Sequence, residues 1–269
     1  MRRESGSDFI EALARGLDVL KAFQPSRPRM TLSEVAAETG LARPTARRIL
    51  ITLEELGYVR SVEHGFALTP RVLDLGMAYI SSNNLWQLAE PHLRELSRHT
   101  GESCSLAQLE GSDIIYVARA AVPKLVALAV NVGTRFPAAQ TSLGKVLLAA
   151  LEPAELDRVL ARDSASGLEP RWQPERAELD TVLRDVRAKG WAATDQDLAL
   201  GIRSIAAPVR NGRGVTVAAV NVNAHAAETS VEHLTEHHLP LLLRTASALS
   251  ADWAAWESCP LATVRDVGS

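Results

Sequence analysis

Five residues of one short stretch carry the chemistry of polyanion recognition. Arg43, Thr45, Arg47, Arg48 and Thr52 fall within ten positions, interleaved with Ala46, Ile49, Leu50, Leu53 and Leu56 at helix spacing. Guanidinium groups pair bidentately with phosphates and with the acceptor edge of guanine, and hydroxyls bond phosphate oxygens. On a helix docked in a major groove, Arg43, Thr45 and Arg47 would reach base edges. Arg48, Thr52 and Arg60, just beyond, would hold the backbone. The same pattern would also suit a helix whose polar face is merely solvated.

Two other sets could do chemistry. His233-Leu-Thr-Glu-His237 matches the inverted zincin pattern H-x-x-E-H, with two imidazoles one turn apart. No convincing third ligand stands near it, Glu228 and Glu232 included, so no metal is expected. In the run Val215–Asn223, alternation puts Val217, Ala219, Asn221 and Asn223 on one face and Ala218, Val220 and Val222 on the other. Both faces are mainly apolar, as in a central strand, so the two asparagines need partners. These come from an internal network or from a ligand. Nucleophile-elbow, P-loop and dinucleotide-binding motifs are missing, so no enzymatic activity and no cofactor are expected.

The elements that must position these groups follow from local signals. Phe9, Leu13, Leu17, Leu20 and Phe23 predict a helix over 9–23, with Asp8 as N-cap and Pro25 and Pro28 ending it. Thr31-Leu-Ser-Glu34 is a capping box opening a short helix that Gly40 stops. Pro44 suits the first turn of the arginine-bearing helix, and Gly57 ends it. The runs around His64-Gly65 predict a hairpin. Helix, capped helix, basic helix and hairpin together describe a winged helix-turn-helix over 1–70. A linker helix over 71–84 breaks at Ser81-Ser-Asn-Asn84, and a helix over 85–100 contains Pro91, so it either starts near Pro91 or bends there.

From Ser103 the pattern changes. Strands are expected at Ser103–Leu109, Ile114–Ala120, Leu125–Val132, Ile205–Val209 and Val215–Asn223. Helices are expected at 141–150, 153–160, 175–189 and from Ser230 to Trp256, the last kinked at Pro240. The fold class is α+β: an N-terminal winged helix-turn-helix and a C-terminal domain with an antiparallel sheet over 85–257, followed by a tail over 258–269.

Composition agrees with a globular chain. Of 269 residues 46% are hydrophobic and 23% charged. Residues 1–70 hold 10 basic and 9 acidic residues and the remainder 19 and 23, so any nucleic-acid face depends on local clustering. The two cysteines, Cys104 and Cys259, form no CxxC and suit a reducing cytoplasm. Neither a membrane span nor a signal peptide is legible. Three readings stay open from the residues: a ligand-responsive DNA-binding regulator, an enzyme with an accessory helix-turn-helix, and an adaptor using the winged helix for protein contact.

Five stretches together resemble one family: Ala14-Arg-Gly-Leu-Asp-Val-Leu20, Thr31-Leu-Ser-Glu-Val-Ala36, Thr52-Leu-Glu-Glu-Leu-Gly-Tyr-Val59, Thr141-Ser-Leu-Gly-Lys145 and Asp195-Gln-Asp-Leu-Ala-Leu-Gly-Ile-Arg-Ser-Ile-Ala-Ala-Pro-Val209. In this order they are similar to the IclR transcription regulators. Phe9–Gly16, Tyr79–Ser82 and Leu85-Trp86 resemble its subgroup governing protocatechuate, 4-hydroxybenzoate and β-ketoadipate catabolism. The resemblance implies a GAF-like effector-binding domain, a homodimer formed through the DNA-binding half or a tetramer of two such dimers, double-stranded operator DNA as partner, and a small-molecule effector. It implies an effector pocket from Ser142, Leu143, Gly144, Thr194, Ser204, Asn221 and Asn223. An aromatic carboxylate there would want a cation, for which Arg119 and Arg203 are candidates and Arg135 a weaker one.

Overall fold

The computed structural model describes residues 8–24, 26–83, 85–123 and 130–258, and the chain divides into two compact units at Asn83/Asn84. In the first, α1 (Glu11–Ala22), α2 (Leu32–Thr39) and α3 (Arg43–Glu55) pack around Val19, Ala22, Met30, Val35, Ala46, Leu50 and Leu53. The capping box is present: Glu34 N–H donates to the Thr31 hydroxyl, and Thr31 N–H donates to Glu34 Oε2 at 2.7 Å. Gly40 closes α2 at φ +66°, and only two residues separate it from α3. That tight link, with its left-handed residue, ends α2 and lets α3 start in a new direction.

Strands β2 (Val59–Val62) and β3 (Gly65–Leu68) form the wing, and β1 (Arg29–Met30) adds a third strand along β3. Val62 pairs with Gly65, so the turn is Glu63-His64, one residue earlier than expected, with His64 at φ +68°. Gly65 belongs to the strand. A Cβ there would lie 2.5 Å from the carbonyl oxygen of Met30, so the residue type is set by the close approach of β1. Helix α1 begins at Glu11 with Ile10 as N-cap in place of Asp8. Its inner side is Ala14, Val19 and Ala22, while Leu13 is 62% and Leu17 43% exposed. Helix α4 (Leu73–Asn83) follows and runs through Ser81, Ser82 and Asn83. Without Pro or Gly there, the few tenths of a kcal/mol that each such residue costs does not break a helix.

In the second unit a six-stranded antiparallel sheet has the order β6 (Arg135–Pro137), β5 (Asp113–Ala120), β4 (Ser103–Glu110), β9 (Thr216–His225), β8 (Ile202–Arg210), β7 (Ala192–Asp195). Helices α5 (Leu85–Thr100) and α10 (Leu239–Ser258) pack on one face, through Leu93, Leu96, Leu242, Leu249 and Trp253 against Cys104, Leu106, Ile205, Val220 and Val222. On the other face lie α6 (Ser142–Ala149), α7 (Pro153–Leu160) and α8 (Arg176–Lys189), with Leu143, Leu148, Leu156 and Leu183 against Ala107, Ala206 and Ala219. The unit is therefore α+β, with β9 central as its two apolar faces predict. The short strands β6 and β7 were not legible as such. The expected strand Leu125–Val132 lies mostly outside the described residues, and Val130–Val132 are not extended in a strand. Most of the tail also lies outside them.

Ser230 caps a single α-turn, α9 (Val231–His233), and Leu234–His238 form a π-turn before α10. Pro240 lacks an N–H and crowds the preceding turn; the widened turn, in which Leu239 N–H reaches back to Leu234 O, accommodates it. Among the described residues no helix is long and apolar enough to cross a membrane.

Candidate functional site

Helix α3 presents Arg43, Arg47 and Arg48 to solvent, with Thr52 exposed and Thr45 half-buried. The five do not form one front. Thr45, Arg48 and Thr52 line a groove of about 780 Å³ together with Leu13, Leu17 and Leu20 of α1, Leu56, Tyr58 and Leu75. Arg43 and Arg47 lie away from that groove. The wing is tied to the helix by Ser61 N–H donating to Glu54 Oε1 at 2.7 Å, and Ser61's bonds hold the Glu54 carboxyl below its usual range. Arg60 and Arg29 are both opposite Ala67, one on each side of β3, so the wing carries two exposed guanidiniums over one buried alanine. Arg29 was not anticipated, because a two-residue strand leaves no periodic signal.

The second unit holds a small cavity on the α6 face of the sheet. Its walls are Tyr116, Phe136, Gln140, Thr141, Ser142, Thr194, Leu198, Ile202, Ser204, Asn221 and Asn223, and about 20 Å³ is open to the centre of a water molecule. Of the seven residues anticipated for a pocket, Ser142, Thr194, Ser204, Asn221 and Asn223 are brought together here. Leu143 is buried in the core behind the wall. Gly144 does not line the cavity either. Its role is seating: a Cβ there would overlap the Ala138 carbonyl, so only glycine lets α6 lie against the 3-10 turn Ala138–Gln140.

The polar wall is a connected network. Ser142 Oγ donates to Ser204 Oγ at 2.7 Å, and Ser204 Oγ donates to Val222 O at 3.1 Å. Asn221 Nδ2 donates to Ser204 Oγ at 3.1 Å, and its Oδ1 accepts from Ser105 N–H at 3.1 Å. Asn221 thus ties β8 to β4 across the central strand. Thr141 caps α6, its hydroxyl accepting from Gly144 N–H. Below the cavity the buried Lys145 meets Asp197 at 2.5 Å and lies 4.3 Å from the Trp172 ring centre.

The two candidate arginines separate. Between β4 and β5 the register shifts: Leu106 pairs with Ala118 but Ala107 with Tyr116, leaving Val117 as an extra residue. This bulge reverses the alternation, so Arg119, opposite Ser105, which on its other side pairs with Asn221, shares the cavity's face with Tyr116. Arg119 donates to Ser105 Oγ at 3.0 Å, its buried Nε has no protein partner, and desolvation lowers its pKa. Arg203 is a correction. It pairs with Ala224, on the opposite face from Ser204. It chelates Asp195 (2.6 and 3.2 Å) and donates to Ala226 O and Thr229 O. Its donors are committed within the fold. Arg135 lies 3.8 Å from the buried Asp113.

His233 and His237 stack with ring centres 4.5 Å apart and planes at 13°, an arrangement that does not converge on an ion, and no metal cluster occurs among the described residues. Cys104 is buried, and burial pushes its thiol up to about 12, as expected of a packed rather than reactive cysteine. Tyr116 and Phe136, which the sequence did not single out, meet edge to face at 5.8 Å and give the cavity an aromatic wall.

Residues 12–63 match the family description "IclR helix-turn-helix domain" and residues 77–251 "Bacterial transcriptional regulator IclR C-terminal". The chain is 39% identical over 237 residues to the Pca regulon regulatory protein of Pseudomonas putida, spanning 88% of this chain and 81% of that one. A crystal structure of a protein from Rhodococcus sp. RHA1, described as a transcriptional regulator, superposes with a TM-score of 0.79 at 46% identity and covers 92% of this chain and 100% of that one. An IclR homolog from Microbacterium hydrocarbonoxydans, crystallised with 4-hydroxybenzoate, has a TM-score of 0.77 at 25% identity and covers 91% and 100%.

Proposed function

The chain belongs to the IclR family of bacterial transcription regulators, and from that premise we propose that it controls an aromatic-acid breakdown operon in response to an aromatic carboxylate. The observation that carries this reading is the chemistry of the cavity's walls; its water-accessible space of about 20 Å³ must widen to admit a ring. Those walls combine the Tyr116–Phe136 pair with a hydrogen-bonded polar floor, and Arg119, outside the lining, is turned onto the same sheet face. The relative crystallised with 4-hydroxybenzoate supports the ligand class. Arg119 is the partner of the effector carboxylate, with Ser142, Thr194, Ser204, Asn221 and Asn223 around the ring. The protein acts in the cytoplasm and is not an enzyme.

On the DNA side, Arg43 and Arg47 read base edges of double-stranded operator DNA. Arg60 and Arg29 of the wing hold phosphates, whereas Thr45, Arg48 and Thr52 line the groove beside α1 and not the front that Arg43 and Arg47 share. The exposed apolar side of α1, with Leu13 and Leu17 beside Leu56 and Leu75, supports a homodimer covering this groove with a second copy, or a tetramer built from two such pairs. A two-fold dimer reads two half-sites about one helical turn apart. Ligand binding changes DNA affinity only through unequal affinity for two arrangements of the DNA-binding pair, and the chain passes between its units through α4.

Fluorescence anisotropy on the protein's own upstream DNA, at fixed salt, tests the proposal. Specific binding that shifts with 4-hydroxybenzoate or protocatechuate is expected. Specific binding unmoved by either compound refutes the effector class, and failure to bind any nearby DNA specifically refutes the regulatory reading.

A further inference from the structure

Most of the cavity's polar side chains spend their hydrogen bonds on the fold. Ser142, Ser204 and Asn221 bond one another, and Thr141 caps α6. Gln140 is different. Only 9% exposed, it lines the cavity from the 3-10 turn that Gly144 fixes in place, and its side-chain Oε1 is buried without a protein partner. Unpartnered acceptors of this kind are costly and rare in native interiors. Of the buried unpartnered side-chain atoms among the described residues, this is the one whose residue forms the cavity wall.

We infer that Gln140 reads a ring hydroxyl of the effector and so selects hydroxylated aromatic acids over unsubstituted ones. This rests on the reading of the cavity as the effector site. A carbonyl oxygen needs a donor; a carboxylate at working pH offers none, whereas a phenolic O–H does. The ligand's two ends then have separate partners: the carboxylate meets the guanidinium of Arg119, and the hydroxyl donates to Gln140. The ring lies against Tyr116 and Phe136. A site built around such a bond rejects the analogue lacking the hydroxyl, because the acceptor is then left buried and alone.

The test is a calorimetric titration of the full-length protein with 4-hydroxybenzoate, protocatechuate and benzoate, in wild type and in Gln140→Met, which keeps the side chain's length without its amide. Wild type is expected to bind at least one hydroxylated acid about 10- to 100-fold more tightly than benzoate. In Gln140→Met that ratio collapses toward one, through weaker binding of the hydroxylated acid and not of benzoate. A preference that survives the substitution overturns the inference while leaving the effector site standing, and so does a wild type that does not discriminate. If none of the three binds wild type, the inference falls together with the reading beneath it. Should Gln140→Met fail to fold, Gln140→Asn, which withdraws the amide by one methylene, must show a reduced ratio; an unchanged ratio again overturns the assignment.

Discussion

Replacing Ser204 with alanine removes one oxygen on which three hydrogen bonds converge. Its own bond to Val222 O disappears, and the Ser142 hydroxyl and the Asn221 amide lose their acceptor. Both of those residues are buried, so each stranded donor costs about 1–3 kcal/mol. The adjoining cavity has room for a water that could re-pair one of them. The expected loss is therefore about 2–4 kcal/mol. All five tryptophans lie between residues 86 and 256, so their fluorescence follows the second unit alone. With a urea dependence near 2 kcal/mol per M, the unfolding midpoint should fall by about 1–2 M. Adding Ser142→Ala removes one stranded donor, so the double variant should lose less than the sum of the two single ones. A midpoint within about 0.2 M of wild type for Ser204→Ala would refute the network as a source of stability.

Two further outcomes concern the first unit. Gly65→Ala places a Cβ against the Met30 carbonyl, and overpacking of this kind costs about 1–3 kcal/mol; DNA affinity should fall at least tenfold while the tryptophan-monitored transition stays put, and an unchanged affinity would show that the wing plays no part. Glu34→Gln tests the capping box: Thr31's backbone and hydroxyl bonds hold the carboxyl below its ordinary value of 4.5, so its contribution is present above that pH and lost as pH falls through the depressed value. The variant should melt below wild type at pH 7 and converge with it in acid, once the pH has fallen below the depressed value, by circular dichroism; a gap that widens in acid would contradict the assignment.

The parts legible in the sequence are those governed by neighbours along the chain. Thr31 and Glu34 close a capping box three residues apart, Gly40 and Gly57 both take positive φ near helix ends, and alternation placed Asn221 on the buried wall. What escaped depends on contacts between distant segments. Strands of two to four residues, such as β1, β6 and β7, are too short to show a period. The apolar stripe Phe9, Leu13, Leu17 gave the right helix, but period does not decide which of two apolar sides turns inward, and Val19 and Ala22 are the buried ones. Arg203 was paired with Ser204 as a pocket residue although adjacent residues of a strand face opposite ways. Gln140 and Phe136 reach the cavity only because β6 and the following turn fold back beside β5.

The bulge at Val117 bears on how ligand preference in such a domain could be altered. Substitution changes what a side chain is; an added or lost residue within a strand changes which compartment every residue beyond it serves. Here the two ends of β5 keep separate registers against one unbroken partner, so the aromatic at 116 and the cation at 119 share a face although they stand three positions apart. A substitution that leaves the strand regular keeps its alternation, whereas one inserted residue reverses it. Libraries aimed at new effectors have a reason to include single-residue insertions and deletions at this place.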